Sequence, residues 1–286
     1  HKRKKGKLTC PPELRQLRKR CLTYIRDFQA EGEVTNTPDG NYVFRDNGAS
    51  ILAVAHLDVV QPAPRHFGHY KGQANVIYNT QLDDRLGAYT ILDALPGMGI
   101  KVDVLLTEGE ESCRSTAAYF QTEKSYNWLI EFDRAGTDIV MYKYETPELR
   151  EILEAQGNEI GWGSYSDICT LEYLKVAGFN WGVGYHENHF PDSHFKISEY
   201  KDAILRFREF YNTYKDTKFE YVPNEWSLED DKWWGRDQGA GLGEYAWESK
   251  IEREQRLEWE QMEAAQERVD LQRKIDFRDA YADYYP

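Results

Sequence analysis

From residue 51 to residue 189 one pattern recurs: a short apolar run, then a histidine or acid cluster, then an amphipathic stretch. The apolar runs cover 51–55, 102–106, 128–132 and 179–183, with a further strand-like run at 139–142. The continuous run at 51–55 fits a strand covered on both faces, and the same strand pattern returns in the others. Helical spacing marks 85–95, 113–123, 147–156, 166–176 and 198–215. An earlier helix is predicted over 11–29, where Leu14, Leu17, Cys21, Ile25 and Phe28 recur at three- and four-residue steps behind Pro11-Pro12. Asp39-Gly40-Asn41 signals a turn into a short strand at 42–44. This alternation predicts an α/β fold, a three-layer sandwich around a mostly parallel mixed sheet.

Ligands in open α/β sheets bind outside the carboxyl ends of the strands. The polar clusters fall there. His56 and Asp58 follow the first run, Glu110 and Glu111 the second, Asp133 ends the third, and His186 and His189 follow 179–183. Asp83-Asp84 opens the helix at 85. Together these residues are the ligand inventory of a two-metal hydrolase, and nitrogen and oxygen donors suit zinc or a neighbouring divalent ion.

Each cluster also has a plainer explanation. A lone histidine after a strand is usually structural, and paired acids favour helix N-termini. Adjacent glutamates are common on surfaces. On a strand, Asp58 points the same way as His56 and is placed to orient its ring. Glu131 competes with Asp133, since alternation puts both on one side. His186 and His194 compete with His189 on composition alone. His66 and His69 read as loop residues, with a substrate contact as the alternative. The order and strand placement of the set carry the argument.

Composition narrows the field. The 286 residues allow one large domain plus an extension, and the net charge of -13 argues against nucleic-acid binding. The basic start, Lys2-Arg3-Lys4-Lys5, has no apolar run and is not read as a secretory signal, and no membrane-spanning stretch is present. Four scattered cysteines without a C-x-x-C pair suit a reducing, cytoplasmic setting. Cys113 lies close to the Glu pair but is given no role. Character changes near residue 216, which divides a catalytic domain, 1–216, from an extension, 217–286. The extension holds 18 acidic and 10 basic side chains, and Trp226, Trp233, Trp234 and Trp247 surround its glycines. From 244 to 278 it reads as a charged helix, with Glu252–Arg256 and Asp270–Lys274 spaced to pair. It is read as a solvated appendage, with self-association or a protein partner as the sharper alternative.

As a set, these motifs resemble the co-catalytic zinc exopeptidases, the clan of the M28, M42 and M20 metallopeptidases. The resemblance covers roughly residues 40–200. His56-Leu57-Asp58 is similar to their H-x-D after a strand, Asp83-Asp84-Arg85-Leu86-Gly87 to the D-D-R-x-G segment of M42 enzymes, and Thr107-Glu108-Gly109-Glu110-Glu111 to their strand-to-Glu-Glu segment. Gly184-Tyr185-His186-Glu187-Asn188-His189 resembles the segment ending in the last ligand histidine. The resemblance implies two divalent ions, zinc first with cobalt or manganese as alternatives. His56, Asp83 and Asp133 would hold one, and Asp83, Glu111 and His189 the other. Glu110 would be the general base, with Asp58 supporting His56. The loop at Gly161-Trp162-Gly163-Ser164-Tyr165-Ser166-Asp167 resembles a substrate-side loop, which makes Ser164, Tyr165 and Asp167 substrate-binding candidates.

Two departures matter. Cys113 stands where a glycine often follows the Glu pair. Only 24 residues separate Asp58 from Asp83, and 55 separate Asp133 from His189, so no lid or dimerisation domain fits. The core is therefore closest to a single-domain, M28-like aminopeptidase hydrolysing peptides. The alternatives are a carboxypeptidase, an N-acyl amino acid deacylase, or a non-catalytic scaffold working through its C-terminal arm.

Overall fold

The computed structural model describes residues 12–60, 67–71 and 75–221. The basic start, Cys10, His66 and the tryptophan-rich helix predicted beyond residue 221 lie outside the described residues.

The chain begins with α1 (Pro12–Leu22), which passes into a 3-10 segment, Ile25–Glu31. Strands β1 (Glu33–Thr37) and β2 (Gly40–Arg45) form a hairpin, and β3 (Ile51–His56) follows. Two short strands, β4 (Gly68–Tyr70) and β5 (Val76–Tyr78), precede α2 (Leu82–Tyr89). Helix α2 continues through a π-helical stretch, Thr90–Ala94, into the single turn of α3 (Leu95–Gly97). Then come β6 (Asp103–Thr107), β7 (Trp128–Arg134), β8 (Ile139–Val140) and α4 (Pro147–Ala155). The last elements are β9 (Gly178–Gly182), β10 (Tyr185–His186), β11 (His194–Lys196) and α5 (Ile197–Tyr214).

The fold is α/β. Seven strands form a mixed sheet in the order β1-β2-β6-β3-β7-β9-β8. Its four central strands, β6, β3, β7 and β9, are parallel, whereas β1, β2 and β8 add antiparallel edges. Every residue of β3, β6 and β9 is buried, the polar Asp103 and Asn180 among them, as strands covered on both faces are. Helix α5 buries Tyr200, Ala203, Ile204, Phe207 and Phe210 at helical spacing. Phe207 meets Trp128, Phe132 and Trp181 edge to face, with centroids 4.9–6.2 Å apart.

Two stretches expected to be helices are not. Residues 113–123 hold only a 3-10 turn, Thr116–Tyr119, and 166–176 hold two, Asp167–Thr170 and Glu172–Leu174. Hydroxyl side chains take over the backbone there. Ser115 Oγ accepts from Ala117 N, and Thr116 Oγ1 both accepts from Glu108 N and donates to Asn41 O. A second, four-stranded antiparallel sheet, β10-β11-β5-β4, also had no counterpart in the sequence pattern. It includes His69, in β4, where a loop was expected.

Candidate active site

The site is built at the carboxyl ends of the parallel strands. His56 is the last residue of β3 and pairs in register with Thr107, the last of β6. Beyond Thr107 the chain turns at Gly109, with φ +85°, where a Cβ would lie 2.4 Å from the Arg114 carbonyl oxygen. That turn places Glu110 and Glu111 in a short 3-10 segment beside β3. Asp133 lies near the end of β7. His189 sits in the turn between β10 and β11, with φ +66°. Asp83 and Asp84 lead into α2 with non-helical backbone angles, and the peptide between them is cis.

One carboxylate organises the centre. Asp83 Oδ1 lies 3.0 Å from His56 Nε2, and Asp83 Oδ2 lies 3.1 Å from His189 Nε2. Glu111 Oε2 approaches the same His189 nitrogen at 3.0 Å. Asp133 Oδ1 is 3.5 Å and Glu110 Oε2 is 3.8 Å from His56 Nε2. Donor atoms of His56, Glu110 and Asp133 converge, as do those of His56, Asp83 and Glu111, each set within 4.8 Å. All six residues assigned as ligands or base therefore meet in one place.

Asp58 supports two of them. The His56 Nδ1 nitrogen bonds to its backbone oxygen at 3.1 Å and has its carboxylate 3.5 Å away. The Glu111 backbone N–H donates to Asp58 Oδ2 at 3.2 Å. One residue thus ties the first imidazole to the glutamate turn.

The electrostatics follow from crowding. Burial opposes a charge on His56, but Asp133, Asp58 and Asp83 outweigh it and raise the imidazole well above its ordinary range. Burial, reinforced by Asp83, pushes Asp133 well above the carboxylate range. Burial works against Asp83 too, yet hydrogen bonds from His189 and His56 hold it low. Hydrogen bonds to Asp83 and Glu111 raise His189 to about 10. Burial, with Asp167, Asp83 and Glu111 nearby, raises Glu110 to about 8. Glu111 Oε1 and Asp58 Oδ1 are buried and accept no hydrogen bond from a described residue. Two imidazoles and a surplus of carboxylates, with buried oxygens left over, fit divalent cations in chemistry and in charge.

The rivals are placed elsewhere. His186 Nε2 bonds to Glu199 Oε2 at 2.9 Å, and His194 Nδ1 to the Asp192 carbonyl at 2.9 Å. Glu131 is buried and takes a hydrogen bond from Ser166 Oγ, while burial keeps it well above the carboxylate range. In the Ser164–Asp167 segment, Ser164 is exposed and Tyr165 half-buried. Asp167 is fully buried, accepts from Thr107 Oγ1 and faces inward beneath the glutamate turn. Cys113 takes φ +53°, a left-handed position that favours glycine.

Two contacts to the site were not anticipated. Tyr185 OH donates to Asp133 Oδ1 at 3.1 Å, and Asn188 Nδ2 to Asp83 Oδ2 at 3.3 Å. Both belong to the segment already marked for its histidine, and polar residues beside a ligand were the available signal.

Gly87 makes room for the Asp pair. Its N–H donates to Asp84 Oδ1 at 2.9 Å, and a Cβ there would sit 2.2 Å from that oxygen. Asp84 is fully buried and cannot swing aside. Gly87→Ala is expected to destabilise the chain by about 1–3 kcal/mol, measured by thermal unfolding.

No protein-family model matches the chain, and no curated protein does. Among solved structures, it is similar to aminopeptidase APDkam598 from the archaeon Desulfurococcus kamchatkensis. The TM-score is 0.50 at 14% identity, covering 81% of this chain and 99% of that one. The fold is one that peptidases use. Aminopeptidase PepT from Bacillus cereus aligns with a TM-score of 0.49 at 10% identity, over 68% of this chain and 95% of that one. A tripeptidase from Staphylococcus aureus gives 0.46 at 12%, over 65% and 90%. At such identities the likeness is one of fold, and the chemistry of this chain rests on its own residues.

Proposed function

We propose that this chain is a metal-dependent exopeptidase, an aminopeptidase that hydrolyses peptide bonds in a two-cation pocket. The observation that carries the reading is the Asp83 carboxylate, set between two imidazoles with one oxygen facing each. In this reading His56, Asp83 and Asp133 hold one ion, and Asp83, Glu111 and His189 the other. Zinc suits the donors best, with cobalt or manganese able to serve. Bound there, such ions supply Lewis acidity and lower the pKa of water.

The chain's own groups do the rest. Glu110 takes a proton from the attacking water and returns it to the leaving amine. It is suited to this by position, since its carboxylate accepts no hydrogen bond from a described residue while Glu111 is engaged by His189. Asp58 fixes the ring of His56 and the backbone of the glutamate turn. The acidic pocket favours a substrate presenting a free amine, and Ser164 and Tyr165 are the candidates to contact it.

Aminoacyl reporter amides and N-acylated amino acids, assayed before and after chelation, test the reading. Hydrolysis of the aminoacyl amides is expected to vanish with chelator and return with Zn²⁺ or Co²⁺. Cleavage of the N-acylated compounds alone would instead identify a deacylase, and activity indifferent to chelation would remove the metals from the scheme. The ion should also stabilise the fold, by about 2.7 kcal/mol at a free concentration 100 times Kd, measured as a rise in unfolding temperature.

A further inference from the structure

The turn that delivers His189 brings a second side chain to the same carboxylate. Asn188 Nδ2 donates to Asp83 Oδ2 at 3.3 Å, the oxygen that His189 Nε2 approaches at 3.1 Å. The other oxygen faces His56 at 3.0 Å. The turn is closed by Phe190 N donating to Glu187 O at 3.2 Å. Its left-handed positions are Glu187, φ +55°, and His189, φ +66°. Asn188 lies between them without a positive φ, so the turn geometry does not account for an asparagine at that position.

A carboxylate that serves two cations must keep one oxygen on each side of the pocket. Rotation about its Cβ–Cγ bond withdraws both oxygens together. In the cation-free chain, imidazole N–H groups can hold the two oxygens in place. An imidazole nitrogen that ligates a cation gives its lone pair to the ion and no longer donates a hydrogen bond there. The Asn188 amide is a donor that persists on Oδ2 after that exchange. It is neutral and does not titrate near neutral pH, so it steadies the carboxylate without competing for the ion.

Resting on the two-cation reading above, we propose that Asn188 is a positioning residue, whose amide holds Asp83 in the orientation that serves both halves of the pocket. Tyr185 makes the corresponding contact to Asp133 at the other end. Tyr185 is part of the buried core, whereas Asn188 is half-buried in a turn, so its replacement is the cleaner probe.

The test is a Co²⁺ titration of the full chain, read by competition with a chromophoric chelator and by the visible absorption of the bound ion. Asn188→Leu is expected to weaken at least one of two Co²⁺ equivalents by roughly 10–100-fold and to change the absorption band. The unfolding temperature of the metal-free protein should not move. Asn188→Gln, which retains the amide, should recover most of the affinity. His186→Ala alters the same hairpin without touching Asp83 and should bind Co²⁺ as the unsubstituted chain does. Unchanged affinity in Asn188→Leu, beside an unsubstituted chain that binds two ions, overturns the inference alone. An equal loss in His186→Ala also overturns it, because the effect would then lie in the hairpin. An unsubstituted chain that binds no Co²⁺ overturns the two-cation reading and this inference with it.

Discussion

Glu110→Gln is expected to cut turnover by about 10²–10⁴-fold while the purified protein keeps its metal. The substitution preserves size and polarity but removes the carboxylate proposed to take and return a proton. Glu111→Gln should do the reverse, losing metal first and activity as a result, because Glu111 faces His189 at 3.0 Å. The pair of variants separates two assignments that adjacency in sequence cannot. Glu110 lies 3.8 Å from His56 Nε2, and its donor atoms also converge with those of Asp133. Loss of metal from Glu110→Gln would make Glu110 a ligand and leave the proton transfer to another group. Elemental analysis beside steady-state kinetics distinguishes the outcomes.

A large effect on stability is expected far from that pocket. Asp103 begins β6 and is fully buried. Its carboxylate accepts from the backbone N–H groups of Asn47 and Ala49, each at 2.9 Å, from Tyr126 OH at 2.9 Å, and from Lys124 Nζ. Asp103→Ala strands the backbone and Tyr126 donors, while Lys124 keeps its pair with Asp46. The expected cost is about 3–5 kcal/mol, from three stranded donors at roughly 1–3 kcal/mol each. At 2–4 °C per kcal/mol for a chain of this size, the unfolding temperature should fall by roughly 6–20 °C. Activity per folded molecule should stay near that of the unsubstituted chain, because Asp103 lies at the opposite end of β6 from the glutamate turn. A fall in temperature of under about 2 °C would show that the four contacts carry little net stability.

The legible and illegible parts of this chain divide along a physical line. Strands β3, β6, β7 and β9 were readable because burial on both faces makes their runs chiefly apolar, with Asp103, Glu131 and Asn180 as polar members, and the candidate site was readable because its acids and histidines end those runs. Helices α4 and α5 were readable from their spacing, each within a residue or two of its bounds. The stretches at 113–123 and 166–176 have helix-like spacing, but Ser115 and Thr116 divert the backbone, and Asp167 turns inward to Thr107. The first two are short-range hydroxyl-to-backbone bonds and the last joins residues 60 positions apart, and apolar periodicity records neither kind. The smaller sheet was illegible for another reason: its strands are two or three residues long, too short to carry a period. Composition left His186 and His189 as rivals and only the resemblance favoured His189; in the structure both rings lie near carboxylates and only that of His189 faces Asp83.

His189 belongs to the hairpin of the smaller sheet, whereas His56, Glu110, Glu111 and Asp133 sit on or just beyond strands of the larger one. A polypeptide emerging from synthesis therefore carries every other component of the pocket long before the last one arrives. On the proposed reading, hydrolytic competence would have to wait until residue 189 has been made and its hairpin is in place. For a protein proposed to cleave peptides, that ordering keeps the unfinished chain inert among its neighbours.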